Sequence, residues 1–548
     1  MSNAAIYAHA NAYDTTAPAL LGRVSAGESF LRGFIRHAKV DRFHFYNSMS
    51  TPRADLDALI QRIEATDRPV RWIAHDDRPA LSDPGVLYLP VPGINSEAYH
   101  RRLHDSRSYG ICGITHTTAT ATVMKVVADM LVAPVEDYDS LICTSNAVRA
   151  SIEAQFDMMR AYMAEEYGPR RRGEPMRVTI PLGVNATDFV ASPEHRKAWR
   201  ERLQIPDDAV VALYVGRFNI RGKMNPALMA MALERAARRT GRPLYWVNSG
   251  WGENPKAEAS FHEETRKVCP SVHYLAVDGR KADARFSIWS VADLFISFSD
   301  NIQETFGLTP IEAMAAGLPS VVSDWDGYRD TVRDGIDGFR IPTIAPRPGM
   351  GEDFSEAFSS GWMHYDNYVG ATGQYVAVDL DAAERHLCEL IESPQLRRRF
   401  GAAAQARARE VFDWSAIIPQ YQALWAEQNV RRKAAAPDNT SRHNPVFPDP
   451  YALFAAYPTR HLQGEDLVTL RAGMTADSAI KWLERPLALY SRFNRPTLAE
   501  VRAVVDRLGT HGPARVADLV GLFPPARRAI VERGLLWLAR HDVVALTP

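Results

Sequence analysis

The chain has 548 residues, enough for about three or four domains, and its 46% hydrophobic and 24% charged content is that of an ordinary globular protein. A net charge of −1 excludes bulk electrostatic attraction to nucleic acid, so no nucleic-acid partner is expected. No apolar run reaches the roughly 18 residues that span a bilayer. No basic region followed by an apolar run opens the chain, and Cys112, Cys143, Cys269 and Cys388 are too scattered to ligate a metal. A cytoplasmic protein with reduced thiols is expected, peripheral at the inner membrane face if it meets lipid at all.

Ala4 to Ala8 predicts a first strand. The stretch Gly22 to Ser29 predicts a glycine-containing loop, and Phe30, Leu31, Phe34 and Ile35 fall at helical spacing behind it. Strand, loop and helix open a doubly wound domain. Val70–Ala74, Gly85–Leu89, Tyr109–Thr115 and Ser140–Ser145 predict further strands, with a helix from Ala147. His116 falls just past one of them, at a carboxyl end where α/β ligand sites form; a histidine hydrogen-bonded in a loop is the plainer reading. Arg170 to Arg172 form a basic run, read as a solvated turn or as a contact for acidic lipid or an anionic acceptor.

Val210–Val215 predicts the first strand of a second doubly wound domain. Gly216, Arg217, Arg221 and Lys223 follow it: a glycine turn with cations, suited to a diphosphate. Tyr245–Asn248 and Tyr274–Leu275 predict the next strands. Leu294–Ser297 and Ser320–Ser323 predict strands either side of a loop and a short helix, one βαβ unit. Thr309 is expected to cap that helix, with Pro310 at its first position and Glu312 completing a capping box; Gly317 is expected to end it left-handed. Thr343 to Tyr375 is rich in Gly, Pro and aromatics and predicts a lid, an interaction loop or a packed insertion. Ile417, Ile418, Tyr421, Leu424 and Trp425 give the helix from Trp414 one apolar face. Arg431 to Pro450 reads as a linker. Pro496–Leu508, Arg515–Leu522 and Pro525–Arg540 predict three helices, with a strand at Val543–Leu546. This layout resembles a winged-helix module, its last helix made basic by Arg527, Arg528, Arg533 and Arg540. A protein partner or homodimer contact is expected there ahead of DNA, since Asp518, Glu532 and Asp542 interrupt the charge.

The stretch ETFGLTPIEAMAAGLPSVVSD, Glu304 to Asp324, closely resembles the signature of the retaining glycosyltransferase family 4, whose fold is GT-B. The resemblance covers roughly residues 1–430 and is strongest over 180–342. It implies two Rossmann-like doubly wound domains facing a cleft: an acceptor domain over 1–180 and a donor domain over 181–412. A crossing helix over 413–430, a linker over 431–450 and a small, mostly α module over 451–548 complete the expected chain. By resemblance Glu304 hydrogen-bonds the donor sugar, the backbone of Phe306, Gly307 and Leu308 meets the diphosphate, and Glu312 holds the ribose. Arg217 and Lys223 are expected to stabilise the departing diphosphate, with Gly216 giving access; they stand six apart where the family usually has five, so Arg221 is an alternative to Lys223. His116 is expected near the donor sugar. Gly27 with Glu28 is the best match to the family's glycine-rich loop, although the usual paired glycines are absent.

The implied function is transfer of a hexose from a nucleotide-diphosphate sugar, with retention, to an acceptor hydroxyl on a glycan, a lipid-linked acceptor or a small molecule. The family has no agreed protein nucleophile, and no cofactor or metal is implied. Two alternatives remain open at this stage: a GT-B enzyme of another reaction, such as an epimerase or a phosphorylase, and a nucleotide-sugar-sensing protein recruited through its C-terminal module.

Overall fold

The computed structural model describes residues 2–14, 22–168, 173–437, 444–491 and 494–548. The Arg170–Arg172 run lies outside them. The chain forms two compact units, residues 1–444 and 445–548.

The first unit holds two parallel sheets. The first contains β1 (Ala5–Tyr7), β2 (Phe43–Asn47), β3 (Val70–Ala74), β4 (Val86–Tyr88), β5 (Gly110–Ile114), β6 (Ser140–Cys143) and β7 (Met176–Thr179), in the order β3-β2-β1-β4-β5-β6-β7. The second contains β8 (Val210–Val215), β9 (Leu244–Gly250), β10 (His273–Asp278), β11 (Leu294–Ser297), β12 (Ser320–Ser323) and β13 (Gly338–Ile341), in the order β10-β9-β8-β11-β12-β13. All pairs in both sheets are parallel, for example Leu213 opposite both Val247 and Phe295. Each sheet reverses its winding once, at β1/β4 and at β8/β11. The carboxyl ends of strands at such a reversal open a crevice where ligands bind. Two doubly wound domains of this topology are the GT-B fold.

Apolar runs such as Val-Val-Ala-Leu-Tyr in β8 are buried on both faces, as parallel strands under helices require. Two strands of the first sheet escape the sequence reading. β2 is built from aromatics, Phe43-His44-Phe45-Tyr46, in place of aliphatics. β7 is an edge strand, half-buried throughout.

The helix Trp414–Ala434 crosses back to the first domain. Ile417, Ile418, Tyr421 and Trp425 are fully buried, and the Trp414 indole donates to Ser29 at 2.8 Å. This helix runs past the expected linker start at Arg431. Gln428 donates to the carbonyls of Ile111 (2.9 Å) and Tyr138 (3.0 Å), and Arg432 donates to those of Arg107 (2.6 Å) and Ser108 (3.2 Å). These bonds keep the helix wound where composition alone predicts a linker.

The insertion after β13 is ordered. β14 (Thr343–Ile344) and β15 (Ala377–Val378) pair antiparallel at its base, and the helices Glu352–Ser359 and Tyr365–Gly373 lie between them. Phe358 and Tyr368 stack at 4.2 Å and join the two helices.

The second unit differs in detail from three helices and a β-tail. An antiparallel sheet of β16 (Leu467–Leu470), β17 (Ala514–Arg515) and β18 (Val544–Thr547), in the order β17-β16-β18, packs with four helices: Ala476–Leu483, Leu498–His511, Val516–Gly521 and Pro525–Arg540. Val468, Leu508, Leu519 and Leu535 fill its core. Arg527 is paired with Glu500 at 2.7 Å, so part of the basic side of the last helix is neutralised inside the unit.

Candidate functional site

The loops after β8 and β11 flank the reversal in the second sheet, and they are joined by an ion pair. Lys223 Nζ lies 3.2 Å from Glu304 Oε2. Burial alone raises the Glu304 carboxyl. The Lys223 charge and hydrogen bond, with the backbone N–H groups of Thr305 and Phe306, outweigh it and hold the group below its ordinary value. Glu304 is therefore an ionised carboxylate, oriented on one side by lysine.

The Lys223 loop is set by residues that sequence reading missed. Asn219 Oδ1 accepts from the N–H of both Arg221 and Gly222, closing a turn. Asn301 donates to the Lys223 carbonyl at 2.5 Å. Buried Asp300 accepts from the Asn225 N–H at 3.1 Å, at the cap of the helix Pro226–Thr240. Burial pushes Asp300 up to about 6 despite that bond. The only sequence signal for this pair was two polar residues shortly after a buried strand. Arg217 is half-buried and Arg221 exposed, and the Gly216 carbonyl passes so close to Gly250 that no side chain fits there.

The helix after Glu304 starts differently from the expectation. It spans Leu308–Ala315, and its N-cap is Gly307, with no side-chain cap bond. Thr309 is already the second helical residue, so the Thr309–Glu312 capping box does not form. Gly307 takes φ +81°, and a Cβ there would collide with the Tyr328 ring. The left-handed glycine turns the chain directly into the helix, which leaves Thr309 no cap position to occupy. At the other end Gly317 is left-handed, φ +78°, and the Gly317 and Leu318 N–H groups bond to Met314 and Ala313.

Glu312, freed from capping, is half-buried. Burial pushes its carboxyl up to about 7, opposed by the Arg285 charge. Arg285 also lies 3.6 Å from Glu28 on the first-domain helix Gly22–His37. Leu308 opens the helix Leu308–Ala315. The Phe306 side chain points into the core 6.1 Å from Phe412, which leaves its backbone, the part expected at the donor, as the part available to a ligand.

The first domain corrects another expectation. Gly27 and Glu28 are not in a loop: they sit inside the helix Gly22–His37, with Gly27 packed against the Ala12 backbone. The lack of a Cβ at Gly27 lets the helix pack directly on the Ala12 backbone. Gly27 and His116 do line one small cavity, with Tyr88, Pro90 and Trp414. His116 Nε2 is 3.1 Å from the Pro90 carbonyl. Its neighbour Thr117 is joined to the second domain through the insertion: Tyr365 is within hydrogen-bonding reach of Thr117 and donates to Gln303 Oε1 at 3.1 Å. Gly370 of the same helix packs on the Arg221 side chain.

Trp325 donates to the Asn301 carbonyl at 2.9 Å, which brings Asp326 beside the Glu304 loop. Asp324-Trp325-Asp326 is an acidic triplet, but Asp324 lies beside Arg340 (3.4 Å) and Arg329 (3.8 Å), while Asp326 faces Ser145. Among the described residues no three His, Cys, Asp or Glu side chains are grouped to hold a metal.

Residues 195–346 match the family described as Glycosyl transferases group 1. The matched segment contains Arg217, Lys223, Asp300, Glu304, Glu312 and Asp326. The chain is 30% identical over 194 residues to a D-inositol 3-phosphate glycosyltransferase of Geodermatophilus obscurus, covering 33% of this chain and 39% of that one. It is 26% identical over 190 residues to a lipopolysaccharide 1,2-N-acetylglucosaminetransferase of Salmonella typhimurium, covering 34% and 48%. Against a phosphatidyl-myo-inositol mannosyltransferase of Mycobacterium tuberculosis it is 24% identical over 363 residues, covering 65% and 76%. The chain thus spans less than half the length of the first two relatives. Similar solved structures include Anabaena HepE in complex with UDP, at TM-score 0.49 and 15% identity over 78% of this chain and 100% of that one. Sucrose-phosphate synthase of Thermosynechococcus elongatus gives TM-score 0.48 and 16% identity over 79% and 100%. No helix among the described residues is long and apolar enough to cross a membrane.

Proposed function

We propose that the chain is a retaining, metal-independent glycosyltransferase of family 4 type, which moves a hexose from a nucleotide-diphosphate sugar to an acceptor hydroxyl. The observation that carries this reading is the Lys223–Glu304 pair, which bridges the loops after β8 and β11 at the strand reversal of the glycosyltransferase segment.

On this reading the diphosphate meets the start of the helix Leu308–Ala315, whose N–H groups favour negative charge. Lys223 and Arg217 neutralise the charge that develops as the diphosphate departs. Glu304 orients the sugar. Its carboxylate is held by Lys223 and two backbone N–H groups, which suits a positioning base better than an attacking nucleophile. Attack and departure then share one face, the acceptor hydroxyl passing its proton to the leaving phosphate, and the protein supplies position and charge.

The relatives named for inositol-containing acceptors make inositol phosphates and phosphatidylinositol the first acceptors to try. We read the C-terminal unit as a winged-helix-like docking module for a protein partner or a second copy. The test is a thermal-shift screen of nucleotide-diphosphate sugars, followed by turnover with the stabilising donor. A true donor at 100 times its Kd adds about 2.7 kcal/mol. No stabilisation by any such sugar would end the reading.

A further inference from the structure

Asp326 is built in a way that a structural carboxylate is not. It occupies a left-handed backbone conformation, φ +44°, which a residue other than glycine adopts at a cost. Its Oδ2 is buried and has no hydrogen-bond partner among the described residues, while Oδ1 meets the Ser145 hydroxyl at 3.4 Å and the Gly327 N–H lies within reach of the carboxylate. An ionised carboxylate left this way in a protein interior is expensive. The segment that carries it is fixed against the donor loop. Trp325 is bonded to the Asn301 carbonyl, and the Gly327 backbone is packed on the Phe306 backbone. Across from it, the N-terminus of the helix Asn146–Tyr167 receives Asp330: the Asn146 N–H and side-chain amide donate to that carboxylate at 2.6 and 3.1 Å. The charged groups acting on Asp326 are thus Glu304 from the loop after β11 and Asp330 from its own segment; from the first domain it meets the Ser145 hydroxyl.

We propose that Asp326 is a further substrate-binding residue, a half-buried carboxylic acid that donates a hydrogen bond to a hydroxyl of the transferred sugar beside Glu304. This rests on the transferase reading. The two acids then divide their roles by environment. Lys223 keeps Glu304 ionised as an acceptor. Burial first, and the Glu304 charge second, push Asp326 up to about 8, so that it keeps its proton at neutral pH and acts as a donor. The strained backbone is maintained because it holds the side chain beside the loop that binds the sugar.

The test compares wild type with Asp326→Asn, which keeps the shape, offers a permanent N–H donor and tolerates φ above zero. In wild type kcat/KM falls about tenfold per pH unit above the Asp326 titration; in Asp326→Asn that alkaline limb disappears. Asp326→Ala, folded, loses the donor and has low kcat/KM at every pH. A second readout does not need turnover. An acid whose folded value is raised costs stability progressively as pH rises from the unfolded to the folded value, so the melting temperature of Asp326→Asn rises above that of wild type between pH 5 and 8. An unchanged alkaline limb in a variant that turns over sugar overturns the sugar contact alone. A constant melting-temperature gap overturns the protonated state. Failure of wild type to turn over any nucleotide sugar overturns the transferase reading and this contact with it.

Discussion

Lys223 and Glu304 neutralise each other, so on the proposed reading a substrate that engages both divides the pair between phosphate and sugar. If Lys223 faces the diphosphate in the transition state, Lys223→Ala lowers kcat by about 10²-fold, the scale for removing one such stabiliser. Glu304 also loses its partner in that variant, so its titration moves upward. Steady-state rates in a folded variant decide this; an unchanged kcat would transfer the role to Arg221. Glu304→Gln leaves the melting temperature of the empty protein nearly unchanged and cuts transfer sharply. Glu312 is a different case, since it caps nothing. Its carboxyl, raised to about 7 by burial, is largely protonated below neutrality. Two ribose hydroxyls are best held by the ionised form, which only accepts hydrogen bonds. Nucleotide Kd in wild type therefore tightens as pH rises from 6 to 8, whereas Glu312→Gln binds more weakly and without that slope. Titration calorimetry at several pH values measures both, and parallel curves would refute the ribose contact.

The elements of the site were legible in uneven measure. Gly307, Glu304 and the strands around them were readable because that segment is one contiguous βαβ unit, and chemistry that sits close in sequence leaves a motif. The capping box was misread because two patterns competed: Thr-Pro-Ile-Glu has the residues of a box, but the glycine two positions earlier has the conformation of a cap. Asp300, Asn301 and Asp326 were not legible as site residues. Their roles come from Lys223, Asn225 and Ser145, between 75 and 181 residues away in the chain. Gly27 had the right composition for a loop but sits where a helix packs against the Ala12 backbone. The insertion could not be resolved from its composition, and the structure joins its Tyr365 to Gln303 on the Glu304 loop, with Thr117 in reach. Tyr365→Phe deletes one neutral hydrogen bond, worth about 1 kcal/mol. If the insertion orders the donor loop, kcat/KM falls roughly fivefold with little change in melting temperature. An unaltered kcat/KM would leave the insertion as packing only.

At the scale of the whole molecule, the units divide inside the stretch read as a linker, but the crossing helix ends later than composition suggests, and that shift has a measurable consequence. The helix Trp414–Ala434 belongs to the first unit down to its last turn: Trp414 lies between Gly33 and Gly183, both too close to carry a side chain, and Arg432 ends the seam on the carbonyls of Arg107 and Ser108. A chain cut after residue 430 loses those charge-assisted bonds, which are worth about 1.5–3 kcal/mol, and the final helical turn with them. A chain cut after residue 444 keeps every element of the first unit. The longer truncation therefore melts like the first transition of the full chain and binds the nucleotide sugar with unchanged Kd. The shorter one melts lower while retaining the donor site, whose groups lie in the second sheet. Loss of donor binding in the 1–444 chain would mean that the C-terminal unit contributes to the site. Equal melting temperatures for the two truncations would mean that the Arg432 seam carries no stability, and the composition-based boundary at Arg431 would stand.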